Sequence, residues 1–240
     1  MNRKNRNDYT IEYFESLPSS FLYAKERRGE NKDLIVVTDS QSGGIGTKGR
    51  SFSSEPGGAY LTMLSFFDCF PTQEAFKIMA NCALSVCKTL TFYGVKPLIK
   101  WPNDVFVQDK KICGILTENL FSGKNIRASL VGIGVNIFNP LPDDLKDTAI
   151  TLSQALNKRF SQSDVEEFRE KLIDELLKEK PNLMQEYRSY IGYMGKEVKL
   201  LIGDECVPAT LLSVNDEGKL LVRTADGERL LSSAEVTVRI

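Results

Sequence analysis

Apolar residues follow two rhythms along the first three quarters of the chain. Short runs rich in β-branched and aromatic residues predict strands over 34–38 (LIVVT), 59–67 (AYLTMLSFF), 97–101 (PLIKW), 104–107, 111–119 (KICGILTEN) and 128–135 (ASLVGIGV). Between and after them the spacing changes to three and four. Ala75, Ile78, Met79, Cys82, Val86 and Leu90 predict a helix within 72–93, and Val165, Phe168, Leu172, Leu176 and Leu177 predict another over 164–180. Ser163 and Glu166 offer that second helix a capping box, and Pro181 marks its end. From about residue 189 the texture is all strand: KEVKLLI, VPATLLSV, GKLLVRT and ERLLSSAEVTVRI. They are separated by turn residues at Gly203-Asp204, Asn215-Asp216-Glu217-Gly218 and Asp226-Gly227. Four or five such strands in some fifty residues predict a small barrel. The pattern as a whole predicts an α+β fold, a mixed-sheet domain over 1–188 followed by a small β-barrel over 189–240.

Composition narrows the chemistry. The 240 residues are 42% apolar and 26% charged with a formal net charge of −1, which gives no general pull toward nucleic acid or anionic membrane. The basic opening, MNRKNRN, reads as a solvated tail. No apolar run approaches the roughly 18 residues that span a bilayer, and no signal peptide is evident. Five cysteines without a CxxC pair read as buried free thiols in a reducing cytosol. A cytoplasmic, membrane-free protein is expected. Histidine is absent, which removes Ser-His-Asp and Cys-His nucleophile pairs. Any catalysis must use lysine, arginine, carboxylates, backbone amides or a metal ion.

Two stretches carry chemistry. Gly44-Ile45-Gly46-Thr47-Lys48-Gly49 spells GxGxxG after a strand. A dinucleotide fold needs a helix next, and Pro56-Gly57-Gly58 forbids one. The P-loop order fails as well, because Lys48 precedes the last glycine. What remains is a glycine-rich loop flanked by Lys48 and Arg50, either a backbone nest for a phosphate or carboxylate or a surface turn. The second stretch is Lys100-Trp101-Pro102-Asn103-Asp104, a lysine on a strand tip beside a stiff turn. As a bare pattern it suits an anionic ligand, and equally a hairpin with a solvated lysine.

Taken together, KWPND at 100–104, KKICGILTE at 110–118, VGIGVN at 131–136, FESLPSSFLYAKE at 14–26 and TDSQSGGIGTKGRSF at 38–52 resemble the biotin protein ligases. The resemblance implies a biotin/lipoate ligase-type catalytic domain and a C-terminal SH3-like barrel. It implies activation of biotin by Mg2+-ATP to biotinyl-5′-AMP, then transfer to a lysine of a biotin carboxyl carrier protein. It gives Lys100 the catalytic role, bridging the biotin carboxylate and the α-phosphate. Ser19, Ser20 and Gln41 would bind biotin's ureido head, although a Ser-Ser pair also suits a turn. Gly44, Ile45, Gly46 and Thr47 would offer backbone donors, and Gly114 would admit the bicyclic ring. Lys48, Gly49, Arg50, Phe52, Asn103 and Asn136 would hold the nucleotide, with Gly132 and Gly134 near the ribose; Asn136 also reads as a strand-end turn residue. Metal ligands are not assigned.

The resemblance is imperfect in the loop. The family carries arginines where this chain has Ile45 and Thr47, and tryptophan where it has Phe52. Weaker retention of the adenylate is the expected consequence. A lipoyl or octanoyl ligase and a non-catalytic binding module are the alternatives. Only about a dozen residues precede FESLPSS, so a winged-helix domain and DNA binding are not expected. A homodimer is possible, for instance through pairing of strand 128–135 across the interface.

Overall fold

The computed structural model describes residues 4–203, 205–233 and 236–239; the side chains of Lys48, Thr237 and Arg239 lie outside the described residues, as does Asp204 of the turn read at 203–204. The chain begins with strand β1 (Thr10–Leu17), helix α1 (Ser20–Glu26), β2 (Leu34–Gln41) and β3 (Ala59–Phe66), then the long helix α2 (Ala75–Phe92). Two short strands, β4 (Leu98–Lys100) and β5 (Asp104–Val107), lead into the hairpin of β6 (Lys110–Ser122) and β7 (Asn125–Val135). Helices α3 (Leu152–Leu156), α4 (Gln162–Leu177) and α5 (Leu183–Ser189) follow. The last strands are β8 (Glu197–Ile202), β9 (Glu205–Val214), β10 (Leu220–Thr224), β11 (Gly227–Leu231) and β12 (Val236–Arg239).

The first seven strands form one mixed sheet in the order β1-β2-β3-β7-β6-β5-β4, and only β1 and β2 pair in parallel. The last five form a separate barrel-like sheet, β11-β10-β9-β8-β12. The α+β reading therefore holds, with a small β unit after the seven-stranded mixed sheet. The run 228–240 divides into two strands, β11 and β12, which are not neighbours. Strand β7 lies between β3 and β6, so both of its hydrogen-bonding edges are taken. Residues 128–135 cannot pair across a dimer; the edge strands of this sheet are β1 and β4, and β4 is itself bridged at Ile99 to Ile191.

The two faces of the large sheet are covered unequally, because successive strand residues point to opposite sides. Ile35, Val37, Leu61, Met63, Val131 and Ile133 join α2 and α4 in the main core, where Phe168 and Leu172 are fully buried. Burying a side chain of that size stabilises the fold by about 2–3 kcal/mol. On the other face Leu34, Val36, Leu64 and Leu130 pack only under the two-turn helix α1. The rest of that face is left for the site described below. Arg169 of α4 ties the sheet edge to the helix layer. Its guanidinium donates to the Thr38 and Gly58 carbonyls at 3.0 and 2.9 Å and pairs with Asp39.

Several local readings need correction. The cap of α4 is Ser161 with Asp164, not Ser163 with Glu166: Ser161 N–H donates to Asp164 Oδ2 at 2.7 Å. The helix ends at Leu177, where Lys178 turns extended, three residues before Pro181 could act. Of the basic opening, Lys4 and Arg6 are held by carboxylates. Lys4 pairs with Asp33 at 2.6 Å, and Arg6 pairs with Glu170 and Asp174. Cys82, Cys87 and Cys113 are buried as expected, but Cys69 and Cys206 are exposed. No helix is long and apolar enough to cross a membrane among the described residues.

Candidate active site

Strand register builds the site. Lys100, Asp104, Gly114, Gly134 and Tyr60 are successive cross-strand partners on β4, β5, β6, β7 and β3. Directly opposed residues share a face, so this row runs over the face that α1 leaves open. Two of its members are glycines, and the ring of Phe52 fills the space they leave. A Cβ on Gly134 would stand 2.4 Å from Phe52, and one on Gly114 would stand 3.1 Å away.

Around this row lies a cavity of about 50 Å3. Its lining includes Ser20, Gln41, Ile45, Gly46, Thr47, Phe52, Thr62, Asn103, Asp104, Lys111, Gly114, Gly132 and Gly134. At one end sits a polar cluster. Gln41 Oε1 accepts from the Ser20 backbone N–H at 2.8 Å and from its hydroxyl at 3.0 Å. Ser20 Oγ also meets Thr62 Oγ1 at 2.8 Å, and Gln41 Nε2 donates to Ser54 Oγ at 2.8 Å. Ser20 and Thr62 are both buried. Such a cluster, already hydrogen-bonded and desolvated, can exchange partners with a polar ligand head at low reorganisation cost.

The other end carries charge. Lys111 Nζ stands 2.7 Å from Asp104 Oδ1 at the edge of the cavity. A bulge brings it there. Val105 pairs with Cys113 but Phe106 pairs with Lys111, so β6 has one residue more than β5 at this point. The extra residue re-aims the side chains that precede it, and Lys111 joins the face of Gly114. Asn103 is fixed by donating from Nδ2 to the Ile115 carbonyl at 2.6 Å.

The expected site residues divide accordingly. Ser20, Gln41, Ile45, Gly46, Thr47, Phe52, Asn103, Gly114, Gly132 and Gly134 are brought together. Lys100 is on the same face but is absent from the lining, and its ammonium lies 5.4 Å from the Phe106 ring centroid. Ser19 caps α1, its side chain accepting from Leu22 N–H at 3.4 Å. Gly44 lies behind the cavity, where a Cβ would be 2.3 Å from the Phe52 carbonyl oxygen. The N–H of Gly46 does not point freely inward, because it donates to the Arg50 carbonyl at 2.7 Å. Gly49 takes the left-handed turn of this loop at φ +73°, and Arg50 is exposed. Asn136 is buried outside the lining and accepts from Asn139 Nδ2 at 3.1 Å. Thr62 and Lys111 were not expected. A lone threonine facing inward in an apolar strand was the available signal for the first. For the second, strict alternation from Gly114 assigns Lys111 to the wrong face.

Similar proteins carry the same plan. Residues 13–136 match the biotin/lipoate A/B protein ligase family, and residues 193–239 match the biotin protein ligase C-terminal domain. The bifunctional ligase/repressor BirA of Bacillus subtilis is 30% identical over 93% of this chain and 72% of its own length. A biotin–[acetyl-CoA-carboxylase] ligase of Paracoccus denitrificans is 24% identical over 84% of this chain and 88% of its own. Among solved structures, the biotin protein ligase of Aquifex aeolicus in complex with biotin and ATP superposes with a TM-score of 0.74. It is 27% identical, covering 96% of this chain and 98% of that one. With the seven-stranded sheet, its open face and the C-terminal β unit in agreement, the chain belongs to the biotin/lipoate A/B protein ligase family, on its biotin protein ligase branch.

Proposed function

We propose that this ATP-dependent biotin protein ligase works through a division of its cavity into a biotin-head end at Ser20, Gln41 and Thr62 and a phosphoryl end at Lys111 and Asp104. The observation that carries this is the placement of both groups in one lining, on either side of the Gly114–Gly134 floor. In the first half-reaction an oxygen of the biotin carboxylate attacks the α-phosphorus of ATP. The α–β anhydride bond breaks, and pyrophosphate leaves with the electron pair. The Lys111 ammonium, between carboxylate and α-phosphate, offsets charge that the two anions cannot share. In the second, the amine of a carrier lysine attacks the acyl carbon, the C–O bond breaks, AMP departs, and the amide nitrogen gives up its proton. The acceptor is a biotin carboxyl carrier protein domain. Residues 1–188 hold this chemistry and 189–240 form the barrel that braces it.

Magnesium would accompany the nucleotide. The Asp104 carboxylate suits a cation held mainly by phosphates, and no group of three or more metal-binding side chains occurs among the described residues. The cavity of about 50 Å3 is far below the roughly 300 Å3 at which ligand pockets begin. Phe52 must therefore leave the glycine floor for substrates to enter, and its ring is then free to stack on adenine. Ile45, Thr47, Lys48, Gly49 and Arg50 travel with it and close on the adenylate. Lys100, at the outer end of the same cross-strand row, is assigned to the distal phosphates, and Asn136 to holding β7 against them.

The test is ATP–pyrophosphate exchange by the full chain with biotin, lipoate or no acid, in wild type, Lys111→Ala and Lys100→Ala. Biotin-dependent exchange that collapses in Lys111→Ala and survives at a reduced level in Lys100→Ala is expected. Exchange driven by lipoate instead would move the protein to the lipoyl branch. Biotin binding without any exchange would make it a non-catalytic binding protein.

A further inference from the structure

On the opposite face of the large sheet lies a second, ten-fold larger cavity of about 530 Å3, within the usual range for small-molecule pockets. It opens where the start of α2 and the end of α4 fail to cover β3 and β7. Met63, Phe70, Ile78 and Val131 contribute apolar surface to its interior. Two polar features break that surface. The first is a row of hydroxyls: Ser65 and Ser129 are cross-strand partners, and Ser65 Oγ meets Tyr9 Oη at 2.7 Å. Ser129 Oγ, only 1% exposed, has no hydrogen-bond partner among the described residues. A buried hydroxyl without a partner costs about 1–3 kcal/mol, a cost that persists only if something else satisfies it.

The second feature is Lys180, half-buried in the same lining. Its ammonium donates to the Glu175 and Lys178 carbonyls at 2.6 and 3.3 Å, capping the end of α4. Lys4, Lys77, Lys178 and Arg188, the other cations of the lining, each have a carboxylate partner. Lys180 forms no ion pair among the described residues. Burial draws its pKa down to about 8, against Glu175 of α4 and Glu186 of α5, which raise it. Cys82 and Lys88 of α2 complete the titratable groups around it, and burial holds the Cys82 thiol neutral to about pH 12.

We propose that this cavity is a binding site for a small amphipathic carboxylic acid whose carboxylate pairs with Lys180, whose apolar body lies along Met63, Phe70, Ile78 and Val131, and whose far end carries a group that hydrogen-bonds Ser129. The site is separate from the ligation cavity, on the other side of the sheet, and does not rest on the ligase reading.

Calorimetric titration of the full chain with 8-hydroxyoctanoate, octanoate and 1,8-octanediol tests it. The hydroxy acid binds best, octanoate binds about ten-fold more weakly, and the diol gives no measurable heat. Lys180→Gln weakens both acids at least ten-fold, while Ser129→Ala removes the preference for the hydroxy acid without affecting octanoate. Affinity of the wild type for both acids falls between pH 7 and pH 9.5 as Lys180 loses its proton, and the Lys180→Gln profile is flat. The wild-type profile reads the site even if a variant folds poorly. Gln41→Ala, on the opposite face, leaves all of this unchanged. Absence of heat with either acid, equal binding of acid and diol, or acid binding lost in Gln41→Ala but kept in Lys180→Gln overturns the proposal.

Discussion

Two segments contribute to the lining of the candidate site's cavity, the glycine loop over 43–52 and the turn over 100–104, and their hydrogen bonds run to different places. The turn is anchored from far away in sequence. Trp101 Nε1 donates to the Gly218 carbonyl of the C-terminal unit at 2.9 Å, Tyr187 Oη of α5 donates to the Pro102 carbonyl at 2.8 Å, and Asn103 donates to Ile115. Trp101 and Tyr187 are both buried, and Phe76 stacks edge-on against Tyr187 at 5.4 Å. The loop bonds mainly to itself, through Gly46 to Arg50, Arg50 to Thr47 and Phe52 to Gly44. Its ties to the body are at its base, from Gly43 to Pro18 and from Gln41 to Ser54. One side of the cavity is braced by elements up to 117 residues away; the other can shift as a unit with few bonds broken. A braced wall suits charges whose placement governs a phosphoryl step, and a self-bonded loop suits a part that opens and closes.

The largest effect expected from breaking this contrast is on the braced side. Lys111→Ala should lower the rate of biotin-dependent exchange by about 10^2–10^3 with the fold intact, the scale of losing one preorganised charge at a developing anion. A loss below ten-fold, measured against Lys100→Ala, would shift the assignment to Lys100. Next come the braces. Trp101→Phe leaves the Gly218 carbonyl without its indole donor and should cost about 1–3 kcal/mol in urea unfolding. It should also raise KM for ATP more than KM for biotin. Tyr187→Phe should follow with about 1 kcal/mol. An unchanged unfolding midpoint in both would show that the C-terminal unit does not support the turn.

On the loop side, stability should barely respond while kinetics do. Gly134→Ala puts a Cβ where Phe52 rests, on the floor that the substrates must occupy, and should raise KM for ATP about ten-fold, while Phe52→Ala leaves that floor open and loses only the stacking ring, so that its KM should rise less. An unchanged KM in Gly134→Ala would show that the nucleotide does not use this floor. The smallest change expected is for Ile45→Arg with Thr47→Arg. Restoring the family's loop charges should slow release of biotinyl-AMP several-fold in a chase experiment, while unfolding shifts by less than about 0.5 kcal/mol. Release as slow in the wild type as in the double variant would remove the idea that this loop holds its adenylate loosely.

Much of this arrangement was legible in the residue pattern. The strands of the core, the apolar stripe of α2 and the change to all-β texture after residue 189 follow from local periodicity, whereas the grouping of Ser20, Gln41, Thr47, Phe52 and Gly114 was implied by the resemblance to the biotin protein ligases. Short or edge elements escaped it: β1 is half-exposed along its length, and α1 has two turns, too few for a 3.6-residue rhythm to register. Caps escaped by one or two residues, since Ser161 and Ser163 offer the same chemistry and only the path of the chain chooses between them.

What the sequence by itself determined is the set of elements and the inventory of groups: which stretches bury their side chains, and a catalytic repertoire of lysine, arginine, carboxylates, backbone amides or a metal ion because no histidine is present. What only the tertiary structure decided is which lysine enters the cavity, what braces the turn beside it, and that Lys180, without an ion pair among the described residues, overlooks a second cavity on the far side of the sheet. The reason is one of range. Periodicity reports burial averaged over a few neighbours, whereas a single bulge at Val105–Phe106 inverts the face of Lys111, and the partner of Trp101 lies 117 residues away in the turn between β9 and β10.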